Sequence, residues 1–351
     1  MSNVTVPSIN KCKTKNKTNA AARETWITLP TGDTKVVVRF VLAKDKDGNI
    51  PQDLLDEAAQ YDDLIFMDTK DAYLNLAAKV GLFFKWAVDS CDGDPLILKT
   101  DEDSFVHMEK LAAAMKEVPK QKLYWGKFLK GIPARKKDGG RAPDNYQNMH
   151  VWPDYASGAG YILSFDVAKA VAYPAVPFQW HEAEDRHVGI ALFGYNITQV
   201  EDLRFSPWGQ CDDSTFLLHY QRHPEMLKRR FRRVVAKQSM CGVPFQPGTE
   251  VCNKADPNKV ATWTCPGALK VVSVIGATFG RVYSSGKAGS CSEGAEGLEP
   301  LEWCHAPTSK QVVAAACIGK HSCDLKADVN LFGPDPCKGE RKHLIAALKC
   351  A

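Results

Sequence analysis

Between residues 36 and 118 short apolar runs alternate with amphipathic stretches, and this alternation constrains the fold more than any single motif. The run 36–43 (VVVRFVLA) reads as a buried strand that ends in the turn KDKDGN, and PQDLLDEAAQ follows as a short helix with Pro51 at its start. DLIFMD at 63–68 is the next strand. After it Leu74, Ala77, Gly81, Phe84, Val88 and Cys91 recur at steps of three and four, which places them on one helix face. A strand at 96–99 and a helix at 105–118 repeat the unit. Such alternation predicts a mainly parallel sheet covered by helices on both faces, and sheets of this kind take ligands at the carboxyl ends of their strands.

Further along, 133–148 (PARKKDGGRAPDNYQN) is polar, aperiodic and rich in Gly and Pro, a loop of the length used for lids and binding loops. A strand at 159–163, a helix at 165–172 and a helix at 184–192 follow, the last with carboxylates in its first turn. The pattern then changes. A stretch at 234–250 containing Pro244 and Pro247 reads as a linker, and beyond it short β-type runs such as 270–275 and 343–348 lie between cysteines and glycines. The expected division is an α/β domain over 1–233, the linker, and a small β-rich domain over 251–351, for which a chain of 351 residues has room.

Of twelve cysteines, nine lie from Cys241 to Cys350, a density that implies disulfides and an oxidising compartment. Zinc is the rival, but no C-x-x-C pair is present and the spacing of Cys317 and Cys323 does not suit a structural finger. Sequons at Asn3, Asn16 and Asn196 permit glycosylation. The net charge of +4 says little about partners and gives no reason to expect nucleic acid. Its densest run, Lys228 to Arg233, reads as a solvated helix end, with a phosphate or membrane-surface patch as the alternative. No apolar run reaches the length of a membrane helix, and the N-terminus lacks the core of a signal peptide. That conflicts with the cysteines, and the expectation is a fragment or mis-started chain whose N-terminal anchor is missing, ahead of an entry route that the sequence hides.

The candidate chemistry centres on Asp101-Glu102-Asp103. Two other D-x-D patterns, at Asp45/Asp47 and Asp92/Asp94, sit beside glycines as ordinary turns. Only the triplet follows directly on an apolar run, Leu96-Ile97-Leu98, which would deliver its carboxylates at a strand end. Hard oxygen ligands there suit Mn²⁺, or Mg²⁺. Gly158 and Gly160 flank Ala159 and fit close approach of backbone to a ligand. Trp152, Tyr155 and Trp180 offer rings for stacking on a sugar, or satellite core. His181 and His187 match no metal spacing and read as local polar residues.

R-E-T-W at Arg23 to Trp26, F-M-D-x-x-D-x-Y-x-N-L-x-x-K from Phe66 to Lys79, W-x-x-x-x-C from Trp86 to Cys91, K-T-D-E-D-S-F from Lys99, Y-A-S-G-A-G-Y-I-L-S from Tyr155 and E-D-x-x-x-G from Glu184 follow one another in a fixed order. Over residues 19–226 they resemble the β-1,3-galactosyltransferases and N-acetylglucosaminyltransferases of glycosyltransferase family 31, with Cys211, His219 and Pro224-Glu225-Met226 similar to that family's closing motif. The resemblance implies a GT-A-type, Rossmann-like nucleotide-sugar domain. It implies metal contacts from Asp103, with Asp101 in support, and an inverting base at Asp185. Arg23, Asp68, Lys79 and Glu102 would lie with the nucleotide sugar, and Trp152, Tyr155, Gly158, Gly160 and Glu184 with the acceptor. A Cys91–Cys211 bridge is also implied. The family's first strand should stand just before R-E-T-W, where NKCKTKNKTNAAA occurs instead, so that strand is expected to be missing.

The tail carries C-P-G-A-L-K-V-V-S-V-I from Cys265, A-T-F-G-R from Ala277, V-V-A-A-A-C-I-G-K-H-S-C from Val312 and F-G-P-D-P-C-K-G-E-R-K-H-L from Phe332. It resembles the galactose- or rhamnose-binding lectin domain of sea-urchin eggs, a small disulfide-rich α+β fold. That resemblance implies the bridges Cys252–Cys291, Cys265–Cys350, Cys304–Cys337 and Cys317–Cys323, and sugar contacts at Gly339 and Lys342. Two departures stand out: Asn253 where a Glu usually follows the first cysteine, and an extra Pro334.

The expected activity is an inverting, metal-dependent β-1,3-hexosyltransferase in the Golgi lumen, moving sugar from a UDP-sugar, UDP-galactose ahead of UDP-N-acetylglucosamine, to a glycan or glycoprotein. The rival reading is a carbohydrate-binding protein with an inactive transferase domain, favoured by the missing strand.

Overall fold

The computed structural model describes residues 3–9, 17–134, 150–174, 183–221, 223–242, 248–280 and 304–351. The chain divides into two compact units, Met1–Gln210 with Ser214–Arg229, and Cys211–Asp213 with Arg230–Ala351.

In the first unit β1 (Asn3–Ile9), α1 (Lys17–Glu24), β2 (Lys35–Lys44), α2 (Gln52–Tyr61), β3 (Leu64–Lys70), α3 (Leu76–Ser90) and β4 (Leu96–Asp101) alternate as the apolar pattern requires. They are followed by β5 (Phe105–Val106), α4 (Met108–Ala114), β6 (Leu123–Leu129), β7 (Tyr155–Leu163), α5 (Phe165–Ala172), α6 (Glu184–Ala191), β8 (Thr198–Glu201), β9 (Phe205–Ser206) and β10 (Leu217–Leu218), and α7 (Pro224–Val235) runs across the division, passing into the second unit at Arg230. Seven strands form one sheet in the order β3-β2-β1-β4-β7-β6-β8. The sheet is mainly parallel, as the alternation predicts, with β7 as its one reversed strand and β8 again parallel to β6. Strands β3, β2, β1 and β4 run parallel, but β7 is antiparallel to both β4 and β6. That reversal sets the end of β4 beside the 158–160 stretch of β7, with Thr100 opposite Gly160.

The strand expected to be missing is present. Asn3 to Ile9 pairs with β2 from Asn3↔Lys35 to Ile9↔Val41 and with β4 from Val4↔Leu96 to Ile9↔Asp101. It comes from upstream of the polar NKCKTKNKTNAAA run, and its single apolar residues, broken by Thr5, Pro7 and Ser8, give a weak signal; a proline argues against a central strand. The expected helix 105–118 is also divided. Phe105 and Val106 pair with β10, and the helix occupies only Met108–Ala114.

The core between α3, α5, α6 and the sheet includes Val80, Phe83, Phe84, Tyr124, Tyr161, Leu163, Val167 and Val188. Each fully buried Phe there contributes about 1.5–3 kcal/mol. Trp125, Phe205 and Phe216 form a second packed group with edge-on rings at 4.9–5.7 Å. The basic run of α7 is no solvated end: Arg229, Arg230 and Arg233 are buried. Arg230 Nη1 donates to Met240 O at 2.8 Å and Arg233 Nη1 to Ser239 O at 3.0 Å. These arginines satisfy carbonyls of the turn that follows, a use that net charge does not reveal.

The second unit contains β11 (Glu250–Ala255), β12 (Val260–Thr264), β13 (Val271–Gly280), α8 (Ser309–Cys317), β14 (Ser322–Lys326), α9 (Val329–Phe332) and β15 (His343–Cys350). Strand β15 is central in an antiparallel sheet, β11-β15-β13, and β12 pairs with β14. Trp263, Phe279, Phe332, Leu344 and Leu348 fill its core, and Trp263 Nε1 donates to Ala346 O at 2.8 Å. The bridges Cys265–Cys350, Cys304–Cys337 and Cys317–Cys323 form as expected. Cys291, the expected partner of Cys252, lies outside the described residues. Cys211 bridges Cys241, with Cα atoms 5.4 Å apart, and not Cys91. Cys91 ends α3, packed against the core.

Candidate active site

Asp101 is the last residue of β4. A turn closes after it, with Ser104 N donating to Asp101 O at 3.1 Å. Thr100 Oγ1 and Ser104 Oγ both donate to Ala159 O, at 3.0 and 3.1 Å, and so anchor the turn to β7. Strand β10 lies antiparallel to β5, and the chain leaving it returns over the turn, where Gln221 N donates to Asp103 O at 2.6 Å. This register brings His219 to the carboxylates: its Nε2 is 2.9 Å from Asp103 Oδ1 and 3.5 Å from Asp101 Oδ2. One ligand atom from each of the three residues lies within 4.8 Å of the others.

The imidazole is oriented from behind. Nδ1 faces Pro207 O at 2.9 Å, and because a carbonyl only accepts, Nδ1 carries a hydrogen and Nε2 is turned to the carboxylates. Tyr220, in the left-handed region at φ 64°, stacks on the ring at 4.1 Å. Burial pulls the His219 pKa down, but the hydrogen bond to Asp103 and the charges of Asp103 and Asp101 outweigh it, and the net displacement is upward. Two carboxylates and an imidazole with its second nitrogen already committed are a donor set that fits Mn²⁺ or Mg²⁺.

Lys99 and Asp101 alternate onto one face of β4. Lys99 is buried, and its Nζ donates to Asp101 Oδ1 at 2.7 Å, to Glu184 Oε1 at 2.6 Å and to Gly158 O. Burial opposes its charge, but Asp101 and Glu184 reverse that and hold its pKa above the usual lysine range. Glu184, in the first turn of α6, also accepts from Tyr161 Oη at 3.1 Å. Burial pushes its pKa up to about 7, against the pull of Lys99 and with the repulsion of Asp185 and Asp101. Asp185 follows it. Its Oδ2 accepts from Gly158 N at 3.2 Å and its Oδ1 from Arg186 N at 2.8 Å. Burial raises the Asp185 pKa above the ordinary aspartate value despite those hydrogen bonds and the charge of Lys99.

A carboxylate at the end of β4, a second in the turn beyond it, a histidine returning from β10 and a buried acidic helix start are thus gathered around the end of β4. Residues 17–202 match the galactosyltransferase family profile. The chain belongs to that family. β-1,3-Galactosyltransferase 1 of Homo sapiens and of Mus musculus is 27% identical over 234 residues, covering 63% of this chain and 70% of that protein. β-1,3-Galactosyltransferase 2 of Homo sapiens is 29% identical over 194 residues, 52% of this chain and 46% of that protein. Residues 263–350 match the D-galactoside/L-rhamnose binding SUEL lectin domain. Among solved structures, mouse xyloside xylosyltransferase 1 overlaps 62% of this chain and 96% of its own at 10% identity, with a TM-score of 0.34 that is too loose to bear on the site.

The other residues expected at the galactosyltransferase-family site are spread over several elements. Arg23 is tied to Glu57 at 2.7 Å and Asp63 at 2.7 Å and lies over the Phe40 and Tyr61 rings; its ties are to β2, α2 and the start of β3, away from β4 in the sheet order. Asp68, on edge strand β3, is exposed and pairs with Lys44 at 2.6 Å. Lys79 is buried in α3 and reaches Asp71 at 3.1 Å. Glu102 is half-buried in the turn between the two aspartates. Trp152 and Tyr155 are 4% exposed and pack with Leu129, Ile132, Ala134 and Ile190, which is the satellite-core reading and leaves no open ring face for a sugar. Trp180 and His181 lie outside the described residues, and His187 is buried in α6.

Gly158 and Gly160 do permit close approach, but of the protein's own side chains. A Cβ at Gly158 would meet Glu184 Oε1 at 2.4 Å, and one at Gly160 would meet Leu217 Cδ1 at 2.3 Å. Sequence reasoning assigned no role to Lys99 or Tyr161 and named His219 only within a motif. In the lectin-type unit Gly339 has φ 84°, and Lys342 pairs with Asp335 at 2.9 Å and donates to Glu340 O at 2.9 Å. Asn253, at the position where the lectin family has Glu, donates from Nδ2 to Thr262 O on the neighbouring strand at 2.8 Å.

Proposed function

We propose that this chain is an inverting, metal-dependent β-1,3-hexosyltransferase that moves galactose from UDP-galactose to a glycan or glycoprotein, with a lectin unit that meets carbohydrate and a place of work in the Golgi lumen. The convergence of Asp101, Asp103 and His219 at the end of β4 carries the reading. These three would hold Mn²⁺ or Mg²⁺, which supplies charge neutralisation for the departing diphosphate. Asp185, with both oxygens held by backbone N–H groups and its pKa raised by burial, is suited to take the proton of the acceptor hydroxyl as that oxygen attacks the anomeric carbon from the face opposite the diphosphate. Backside attack with loss of UDP inverts the anomeric centre. Burial strengthens each of these electrostatic contacts. UDP-N-acetylglucosamine as donor would use the same residues.

The inactive-transferase reading rested on a missing first strand, and β1 occupies that place. Transfer and UDP-galactose hydrolysis should be abolished in Asp103→Ala and by EDTA. Asp185→Asn should bind UDP as the wild type does while turnover falls by about 10²- to 10⁴-fold. Near-wild-type activity in either variant would reject the assignment.

A further inference from the structure

Lys99 is one of the largest fully buried side chains of the molecule, at 1% exposure, in a chain whose other lysines are mostly exposed. A buried ammonium persists only where its N–H groups meet acceptors. Lys99 has three such groups and three oxygens, each from a different element: Asp101 on β4 at 2.7 Å, Glu184 on α6 at 2.6 Å and the Gly158 carbonyl on β7. Each acceptor leads directly to a group of the site. Asp101 gives Oδ1 to Lys99 and presents Oδ2 toward His219 Nε2 at 3.5 Å. Gly158 gives its carbonyl to Lys99 and its N–H to Asp185 Oδ2 at 3.2 Å. Glu184 precedes Asp185 in the first turn of α6.

We propose that Lys99 is a positioning residue that holds the cation-binding carboxylate Asp101 and the Gly158–Asp185 contact at one fixed spacing. The proposal rests on the transferase reading above and adds that cation affinity and turnover are set through one buried ammonium that touches neither substrate nor metal. The bland alternative is that Lys99 is only the counter-charge of Glu184. The two differ in a testable way. If Lys99 is merely a counter-charge, removing both charges restores the site; if it positions Asp101 and Gly158, removing both restores folding alone.

The test compares wild type, Asp103→Asn, Glu184→Gln, Lys99→Met and the Lys99→Met/Glu184→Gln pair. Thermal denaturation, Mn²⁺ affinity by electron paramagnetic resonance of the free ion, and kcat and KM for UDP-galactose hydrolysis at saturating Mn²⁺ are read for each. Lys99→Met should be destabilised by the unpaired carboxylate. The double variant should melt near wild type yet bind Mn²⁺ about 10- to 100-fold more weakly, the usual effect of losing a group that orients a metal ligand, with kcat lowered and KM nearly unchanged. Glu184→Gln, in which Lys99 keeps Asp101 and Gly158, should hold Mn²⁺ within about threefold of wild type. Wild-type affinity and turnover in the double variant, or a large loss of Mn²⁺ affinity in Glu184→Gln, would overturn the proposal. Equal Mn²⁺ affinity in wild type and Asp103→Asn would instead overturn the metal reading itself.

Discussion

Replacing Gly158 by alanine tests the site without replacing a charged group. The added Cβ would stand 2.4 Å from Glu184 Oε1 and 3.4 Å from Lys99 Nζ, while ordinary contact begins at 3.4 Å. The Glu184 carboxylate must therefore retreat by about 1 Å, and a misplacement of that size near reacting groups costs about 10²-fold in rate. It has little room to do so, because Glu184 is 8% exposed and its two oxygens are held by Lys99 and Tyr161. Movement passes to the first turn of α6 and hence to Asp185. The overpacking itself costs about 1–3 kcal/mol, a loss this large sheet should survive folded. Expected together are a lowered melting temperature, a kcat for UDP-galactose hydrolysis down about 100-fold, and UDP affinity near wild type. Gly158→Ala that melts lower but keeps wild-type kcat would refute the claim that this glycine sets the position of the acidic helix start.

Gly160→Ala should act on the other side of the site: its Cβ meets Leu217 Cδ1 at 2.3 Å, two residues before His219, so Mn²⁺ affinity measured by titration should weaken before kcat at saturating Mn²⁺ does. Since burial raises the Asp185 pKa, the carboxyl is protonated and unable to accept a proton below that raised value, so kcat should fall with pH along an acid limb lying above the ordinary aspartate range. That limb should be absent from the residual activity of Asp185→Asn, and its persistence there would assign it to another group. Peptide mapping of the unreduced protein should recover Cys211 joined to Cys241 and Cys317 joined to Cys323. A Cys91–Cys211 peptide would contradict the fold described. Residues 248–351, secreted from an oxidising host, should fold alone and unfold on reduction, because disulfides contribute several kcal/mol to a domain of this size; circular dichroism with and without reductant decides it.

Much of the fold was legible because buried parallel strands and amphipathic helices leave distinct periods. β2, α2, β3, α3 and β4 appear close to where the apolar runs at 36–99 place them. The parts that were not legible have physical causes. β1 has β-branched residues at Val4, Thr5, Val6 and Ile9, but its proline and its polar residues leave no apolar run to mark a central strand, and its partners β2 and β4 supply the reason it is one. β6 (LYWGKFL) is interrupted by Gly126 and Lys127, and Gly126 is required because its Cβ would meet Ala156 Cβ at 2.9 Å. At the site, Asp101 and Asp103 were readable from a strand ending in carboxylates. His219 was not, because it reaches them through the pairing of two-residue strands, β5 and β10, that periodicity cannot resolve. Trp152 and Tyr155 show the opposite error: aromatics beside a loop suggest a sugar platform, and only packing reveals that their faces are already covered. Gly158 and Gly160 signalled close approach correctly, while the approaching group proved to be protein.

The stereochemistry of donor cleavage tests the central claim most directly and needs no knowledge of the acceptor. UDP-galactose carries an α-linked sugar, and attack from the face opposite the diphosphate gives a β product. Proton NMR of the wild-type enzyme with Mn²⁺ and UDP-galactose, recorded faster than mutarotation, should show β-galactose as the first-formed anomer, with no release in EDTA or in Asp103→Ala. First-formed α-galactose, or unchanged cleavage without the cation, would contradict the account.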